Sequence, residues 1–123
     1  MLRVALTFDI EHPDRPTREG VTQAIIDTLA VTNVRATMFL QSRWVRAYPA
    51  LAREIGTAGH LIGNHSHFHA RMPMLTSRGL ASDVLTATST IREVVGVDPR
   101  PWFRCPFGAT DSGTRTLTGL SHP

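Results

Sequence analysis

Two hydrophobic periodicities alternate along this chain, and that alternation limits its fold more than any other feature. Short apolar runs occur at Leu2–Phe8, Val34–Leu40, Leu61–Ile62 and Trp102–Arg104, the pattern of buried strands. Between them, Val21, Ala24, Ile25, Thr28 and Leu29 fall at helical spacing, as do Leu51, Ala52 and Ile55, and then Leu80, Val84, Ala87, Ile91 and Val95. Each set puts one largely apolar face on a helix. Thr17 and Thr76 are placed to cap helices, because a side-chain oxygen can accept from an N–H of the first turn. Pro49 suits a first helical position, and Gly59 and Gly96 suit helix ends. Four strands separated by three helices predict βαβ units around a parallel sheet, an α/β fold. Right-handed crossovers then bring every strand's C-terminal end to one side, where the active sites of such folds gather. At 123 residues the chain is one domain, well short of the ~250 residues of a closed (β/α)8 barrel.

Composition removes several classes of function. With 41% hydrophobic residues and a net charge of +3, the chain can bury a core and is not disordered by composition. Cys105 is the sole cysteine, so there is no disulfide framework. All 13 basic residues are arginines, but they are scattered and do not interleave with aromatics, which argues against a nucleic-acid partner. No apolar stretch approaches the ~20 residues that span a bilayer. Strand-like Val4–Phe8 follows Met1 almost at once, where a signal peptide would need a basic start and a longer apolar run. The expected location is cytoplasmic by default.

The polar residues at the strand ends are Asp9 and Glu11, the trio His65, His67 and His69, and Arg104. Two histidines four apart share a helical face and two histidines two apart share a strand face, so either pairing could hold a metal. Two histidines and one carboxylate form a facial site with open positions, suited to zinc, cobalt, nickel or iron. Asp9 and Glu11 could divide the work, one as ligand and the other as general base for a metal-activated water. Arg104 could fix a carboxylate through a bidentate pair. Pro106 and Gly108 stiffen and turn the backbone beyond it, and Cys105 reads as a small packing residue. A non-haem iron oxygenase uses a similar ligand set, usually on an all-β fold, and ranks last.

Four blocks in order carry a family resemblance: Thr7-Phe8-Asp9, Arg35-Ala36-Thr37-Met38-Phe39-Leu40, Gly59 to His69 around the HSxxH pattern, and Phe103 to Gly108. Together they resemble the polysaccharide deacetylase family, the NodB-homology domain of carbohydrate esterase family 4. The resemblance implies a distorted (β/α)7 barrel that removes N- or O-acetyl groups from carbohydrate, with one divalent metal, most often zinc (cobalt or nickel are alternatives). It maps the metal histidines onto His65 and His69 and the catalytic base onto Asp9. It assigns Arg104 to orienting Asp9, and the Arg104, Pro106 and Gly108 pattern to a turn where the Phe107 backbone N–H helps hold the oxyanion.

The sequence departs from the family pattern in two places. Ile10 stands where the family has a second Asp, its usual metal ligand. Glu11 lies one residue further on, and because residues two apart share a strand face, Glu11 is expected as the third ligand beside base Asp9. The family's later segments, a tryptophan-lined wall and a general-acid His, normally lie many residues beyond this point. Leu120-Ser121-His122 resembles the late Leu-x-His pattern but comes too soon. Residues 1–123 are therefore expected to form a single partial barrel of parallel strands, cut short after about residue 110, with an uncovered sheet edge open to self-association. Hydrolysis of other C–N bonds, of ureide or formyl type, is one alternative. Metal or sugar binding without turnover is another.

Overall fold

The computed structural model describes residues 1–13 and 20–114. Thr17 and Leu120–His122 lie outside them. The elements are β1 (Thr7–Ile10), α1 (Val21–Val31), β2 (Thr37–Leu40), α2 (Ser42–Ala47), α3 (Pro49–Thr57), β3 (Leu61–Asn64) and α4 (Ser77–Val95), with 3-10 turns at Met72–Met74 and Pro106–Gly108. The three strands form one parallel sheet in the order β1-β2-β3. The register aligns Phe8, Met38 and Ile62 in one row, and Asp9, Phe39 and Gly63 in the next.

Strand alternation then separates two faces. Phe8, Ile10, Met38, Leu40 and Ile62 turn towards the helices and join Ile26 and Leu29 of α1, Trp44 and Val45 of α2, Ala52 and Ile55 of α3 and Ile91 of α4. Met38, Leu40, Val45, Ala52, Ile55 and Ile91 are fully buried; burying a large apolar side chain stabilises by roughly 1.5–3 kcal/mol. Asp9, Phe39 and Gly63 occupy the opposite face, the one that carries the polar chemistry. A second apolar group of Met72, Leu80, Phe103 and Cys105 closes the end near α4, and there Cys105 acts as a packing residue.

The longest helix agrees best with expectation. Thr76 caps α4 by accepting from the Gly79 N–H at 3.0 Å, and Gly96 ends it at φ 80°. Pro49 opens α3. Several expectations need correction, and one is the second strand, which begins at Thr37 rather than Val34. The first strand begins at Thr7 rather than Leu2, and Leu2, Val4 and Leu6 are exposed. Its ladder starts only where β2 does, with the Thr37 N–H donating to Leu6 O. The inner side of α1 is Ile26 and Leu29, with Ile25 half-buried, while Val21, Ala24 and Thr28 are exposed. Helix α2 had no sequence cue, since six residues show less than two turns of periodicity. The fourth strand is reduced to a single parallel bridge between Asn64 and Phe103. Pro99, Pro101 and Pro106 flank it and lack the N–H that a longer ladder needs.

Candidate metal and acid–base centre

Asp9 and Glu11 leave the end of β1, His65 leaves the end of β3, and Arg104 follows the Phe103 bridge. All therefore meet at the C-terminal edge of the sheet, as the parallel topology requires. The Nε2 atoms of His65 and His69 approach the same oxygen, Glu11 Oε2, at 2.7 and 2.5 Å. The expected ligand set of Glu11, His65 and His69 is thus brought together, with one donor atom from each lying within 4.8 Å of the others. His67 is excluded from it: its Nδ1 pairs with Ser42 Oγ at 2.7 Å. Of the three histidines, the pair four apart is therefore the one placed against Glu11.

The donor chemistry fits a cation. His65 Nδ1 lies 2.8 Å from the Arg104 carbonyl, which can only accept, so the neutral ring carries its proton on Nδ1 and turns the Nε2 lone pair towards Glu11. A lone pair and a carboxylate oxygen at 2.7 Å repel unless a positive charge lies between them. A tetrahedral zinc with bonds near 2.0–2.1 Å sets its ligand atoms about 3.3 Å apart, a spreading that small side-chain rotations supply. The contact from His65 to a backbone carbonyl is the outer hydrogen bond that metal-binding histidines usually make. The His69 ring is held by edge contacts instead, with centroids 5.0 Å from His65, 4.4 Å from His12 and 4.9 Å from Phe107. Its buried Nδ1 has no hydrogen-bond partner among the described residues.

The charges follow from burial and neighbours. Burial raises the Glu11 pKa, but the close contact with His65 and the nearness of His69, His65 and His12, rings able to take up positive charge, outweigh it and hold the carboxyl below its ordinary 4.5. Burial holds His69 below 6.5 against the opposing pull of Glu11. Both groups are therefore in the form a metal binds, carboxylate and neutral imidazole.

Asp9 is close to this set but separately held. Arg104 Nη1 donates to Asp9 Oδ1 at 3.1 Å and to Thr7 Oγ1 at 3.0 Å. The expected bidentate pair is not formed, because one nitrogen serves both β1 acceptors. The guanidinium stacks on the Phe39 ring, 4.2 Å from its centroid, which fixes its plane. Asp9 Oδ2 lies 3.9 Å from His65 Nε2. Ile10, between the two acids, packs into the core on the other face, which is why Glu11 rather than residue 10 reaches the histidines.

Pro106 is buried, while Phe107 is exposed with φ 60° and Gly108 turns at φ 64°. The Phe107 ring rests between His69 and the Arg71 guanidinium, 4.4 Å from the latter. Sequence reasoning missed two supporting residues. Gln41, buried at the end of β2, accepts from the His12 N–H at 3.1 Å and pins the backbone just beyond Glu11; its position at a strand end was the available signal. Asp83, buried in α4, accepts from the His65–His69 loop. Its signal was an acid within the apolar stripe of Leu80, Ala87 and Ile91.

Comparison with known proteins agrees with this arrangement. The sequence pattern of the family described as polysaccharide deacetylase matches residues 2–119. A peptidoglycan-N-acetylglucosamine deacetylase of Bacillus cereus is 31% identical over 105 residues, covering 85% of this chain and 36% of that protein. A family 4 carbohydrate esterase from Streptomyces lividans, solved with acetate, superposes with a TM-score of 0.82 at 32% identity, over 94% of this chain and 57% of that one. A CE4 family pseudoenzyme from Bacillus anthracis gives a TM-score of 0.83 at 25% identity, over 94% and 39%. The chain spans between 27% and 42% of the first curated relatives it matches, so its sheet and helices correspond to part of the NodB-like barrel. No helix among the described residues is long and apolar enough to cross a membrane. With its pattern matched almost end to end, the chain belongs to the polysaccharide deacetylase family.

Proposed function

We propose that this chain carries the metal and base half of a carbohydrate deacetylase, hydrolysing N- or O-acetyl groups on amino-sugar polymers or oligomers. The observation that carries the reading is the division of labour between two carboxylates two residues apart. Glu11 converges with His65 and His69, while Asp9 is held outside that set by Arg104. Glu11, His65 and His69 would hold a divalent ion, zinc by preference for two imidazoles, one carboxylate and an open position. Cobalt or nickel suit the same set. The ion would supply Lewis acidity, lowering the pKa of water towards ~7 and polarising the acetyl carbonyl.

Asp9 is the general base. Its Oδ1 is engaged by Arg104, and Oδ2 takes the proton of the water that attacks the carbonyl. Arg104 keeps that carboxylate oriented. The Phe107 backbone N–H, on the turn beside His69, donates to the developing oxyanion. Among the described residues we assign none to protonating the leaving group.

The test is acetate release from acetylated chito-oligosaccharides before and after chelation, with zinc then restored. Loss on chelation and recovery with zinc are expected; release that ignores the chelator overturns the metal assignment. Parallel assays on formylated and ureido substrates separate the other C–N hydrolases. A second reading, binding without turnover, is supported by Ile10 in place of the family's second Asp and by the pseudoenzyme of the same fold. Zinc binding with no acetate release would favour it.

A further inference from the structure

We propose that Asp83, on α4, is a positioning residue that shapes the His65–His69 loop for metal capture; this rests on the metal reading above. Asp83 is 4% exposed and accepts from three successive residues. Oδ2 takes the Ser66 hydroxyl at 2.7 Å and the His67 N–H at 3.1 Å, and Oδ1 takes the Phe68 N–H at 3.0 Å. The Ser66 hydroxyl oxygen in turn accepts from the His69 N–H at 3.0 Å. The Ser66 N–H goes to Asn64 Oδ1 at 2.8 Å, and Asn64 Nδ2 donates to Val84 O and Thr88 Oγ1 of α4, each at 3.2 Å. Four consecutive backbone N–H groups, residues 66 to 69, thus find side-chain rather than ladder acceptors. All four are anchored to one face of α4.

This wrapping explains the loop's backbone. Ser66 and His69 sit at φ 75° and 57°, left-handed values that non-glycine residues hold only when their surroundings impose them. His65 and His69 flank this bent segment, so its curvature sets the separation of the two Nε2 atoms. A carboxylate is needed because only it offers two acceptor-only oxygens. An amide in its place must turn an NH2 towards one of the loop's donors. The hydrogen bonds of Asp83 go to the Ser66 hydroxyl and to loop N–H groups, and no substrate role is assigned to it.

The experiment measures zinc affinity by competition with a chromophoric chelator for the wild-type chain, Asp83→Asn, Asp83→Glu, Ser66→Ala and Ile91→Ala. Thermal unfolding of each metal-free form is followed in parallel. Asp83→Asn is expected to weaken zinc binding about 10–100-fold, the range for residues that orient ligands, with partial recovery in Asp83→Glu. Ile91→Ala, in the core of the same helix, should lower Tm and leave zinc affinity unchanged. If Asp83→Asn does not fold, Ser66→Ala carries the same expectation, because it cuts the link from Asp83 to His69. Wild-type binding with undiminished affinity in the folded Asp83 or Ser66 variants overturns this inference alone. A wild-type chain that binds no zinc overturns the metal reading and this inference with it.

Discussion

Gly63→Ala is the sharpest probe of how the sheet supports Asp9, the proposed base. Gly63 shares a row with Phe39 and Asp9, and a Cβ there would meet two Phe39 ring carbons at 2.5 and 2.6 Å, with Trp102 Cβ at 3.3 Å on another side. Ordinary carbon contacts are about 3.5–4.0 Å, so the ring must retreat by roughly 1 Å. The Arg104 guanidinium rests on that ring at 4.2 Å and reaches Asp9 at 3.1 Å; a comparable shift takes the bond beyond hydrogen-bonding range. Overpacking of this kind costs ~1–3 kcal/mol, or roughly 4–12 °C in Tm for a chain of this size. Misplacing a catalytic group by about 1 Å costs on the order of 10²-fold in turnover. Calorimetry and acetate release should show both losses while zinc affinity holds, since Glu11, His65 and His69 are fixed by other contacts. Adding Phe39→Leu removes the clash and the stacking surface together, so the double variant should regain Tm without regaining turnover. A Gly63→Ala chain with wild-type Tm and turnover, or a double variant that recovers both, would refute the reasoning.

The remaining predictions concern the two acids and a buried histidine. Glu11→Ala should lose most bound zinc by elemental analysis, and full occupancy with full activity would rule Glu11 out as a ligand. Asp9→Asn should keep its zinc and lose about 10²–10⁴-fold in turnover, so loss of zinc instead would mean that Asp9 is a ligand. His60 Nδ1 accepts from the Ala36 N–H at 3.0 Å, and burial, then Arg35, holds its pKa below 6.5. The unfolded chain therefore takes up a proton that the folded chain refuses. Its contribution to stability is full above about pH 6.5 and lost as pH falls through the lower folded value. Tm measured against pH should fall less steeply below 6.5 in His60→Gln than in wild type, and equal slopes would show that His60 is not the cause.

The meeting of Asp9, Glu11, His65 and Arg104 at one edge was legible because parallel topology gathers strand ends, and because Asp9 and Glu11 are spaced by the period of a strand. The ends of α4 were legible because Thr76 and Gly96 act locally, through one hydroxyl and one left-handed turn. What escaped depended on tertiary partners. The extent of β1 is set by where β2 starts, and the Trp102 segment has the apolar character of a strand but lacks the N–H groups to extend one. Residues such as Asp83 serve a loop far away in sequence, so their helix shows an anomaly in its stripe without showing its purpose. The monodentate Arg104 contact likewise depends on Thr7 competing for the same nitrogen.

The convergence of Glu11, His65 and His69 also has a mechanical meaning. Strand β1 lies at the edge of the described sheet and is bonded to β2 alone, yet Glu11 just beyond it meets His65 across a separation of 54 residues. An ion there would clasp a lightly held edge to the far side of the sheet, closing a long loop much as a cross-link does. Ligand binding to the folded form adds to stability by mass action, and here the gain should concentrate where the chain is least secured. Hydrogen exchange should therefore slow on adding zinc most at the amides of Phe8 to Ile10, while the buried strand β2 changes little. Assembly of the centre and seating of the first strand would then be a single event.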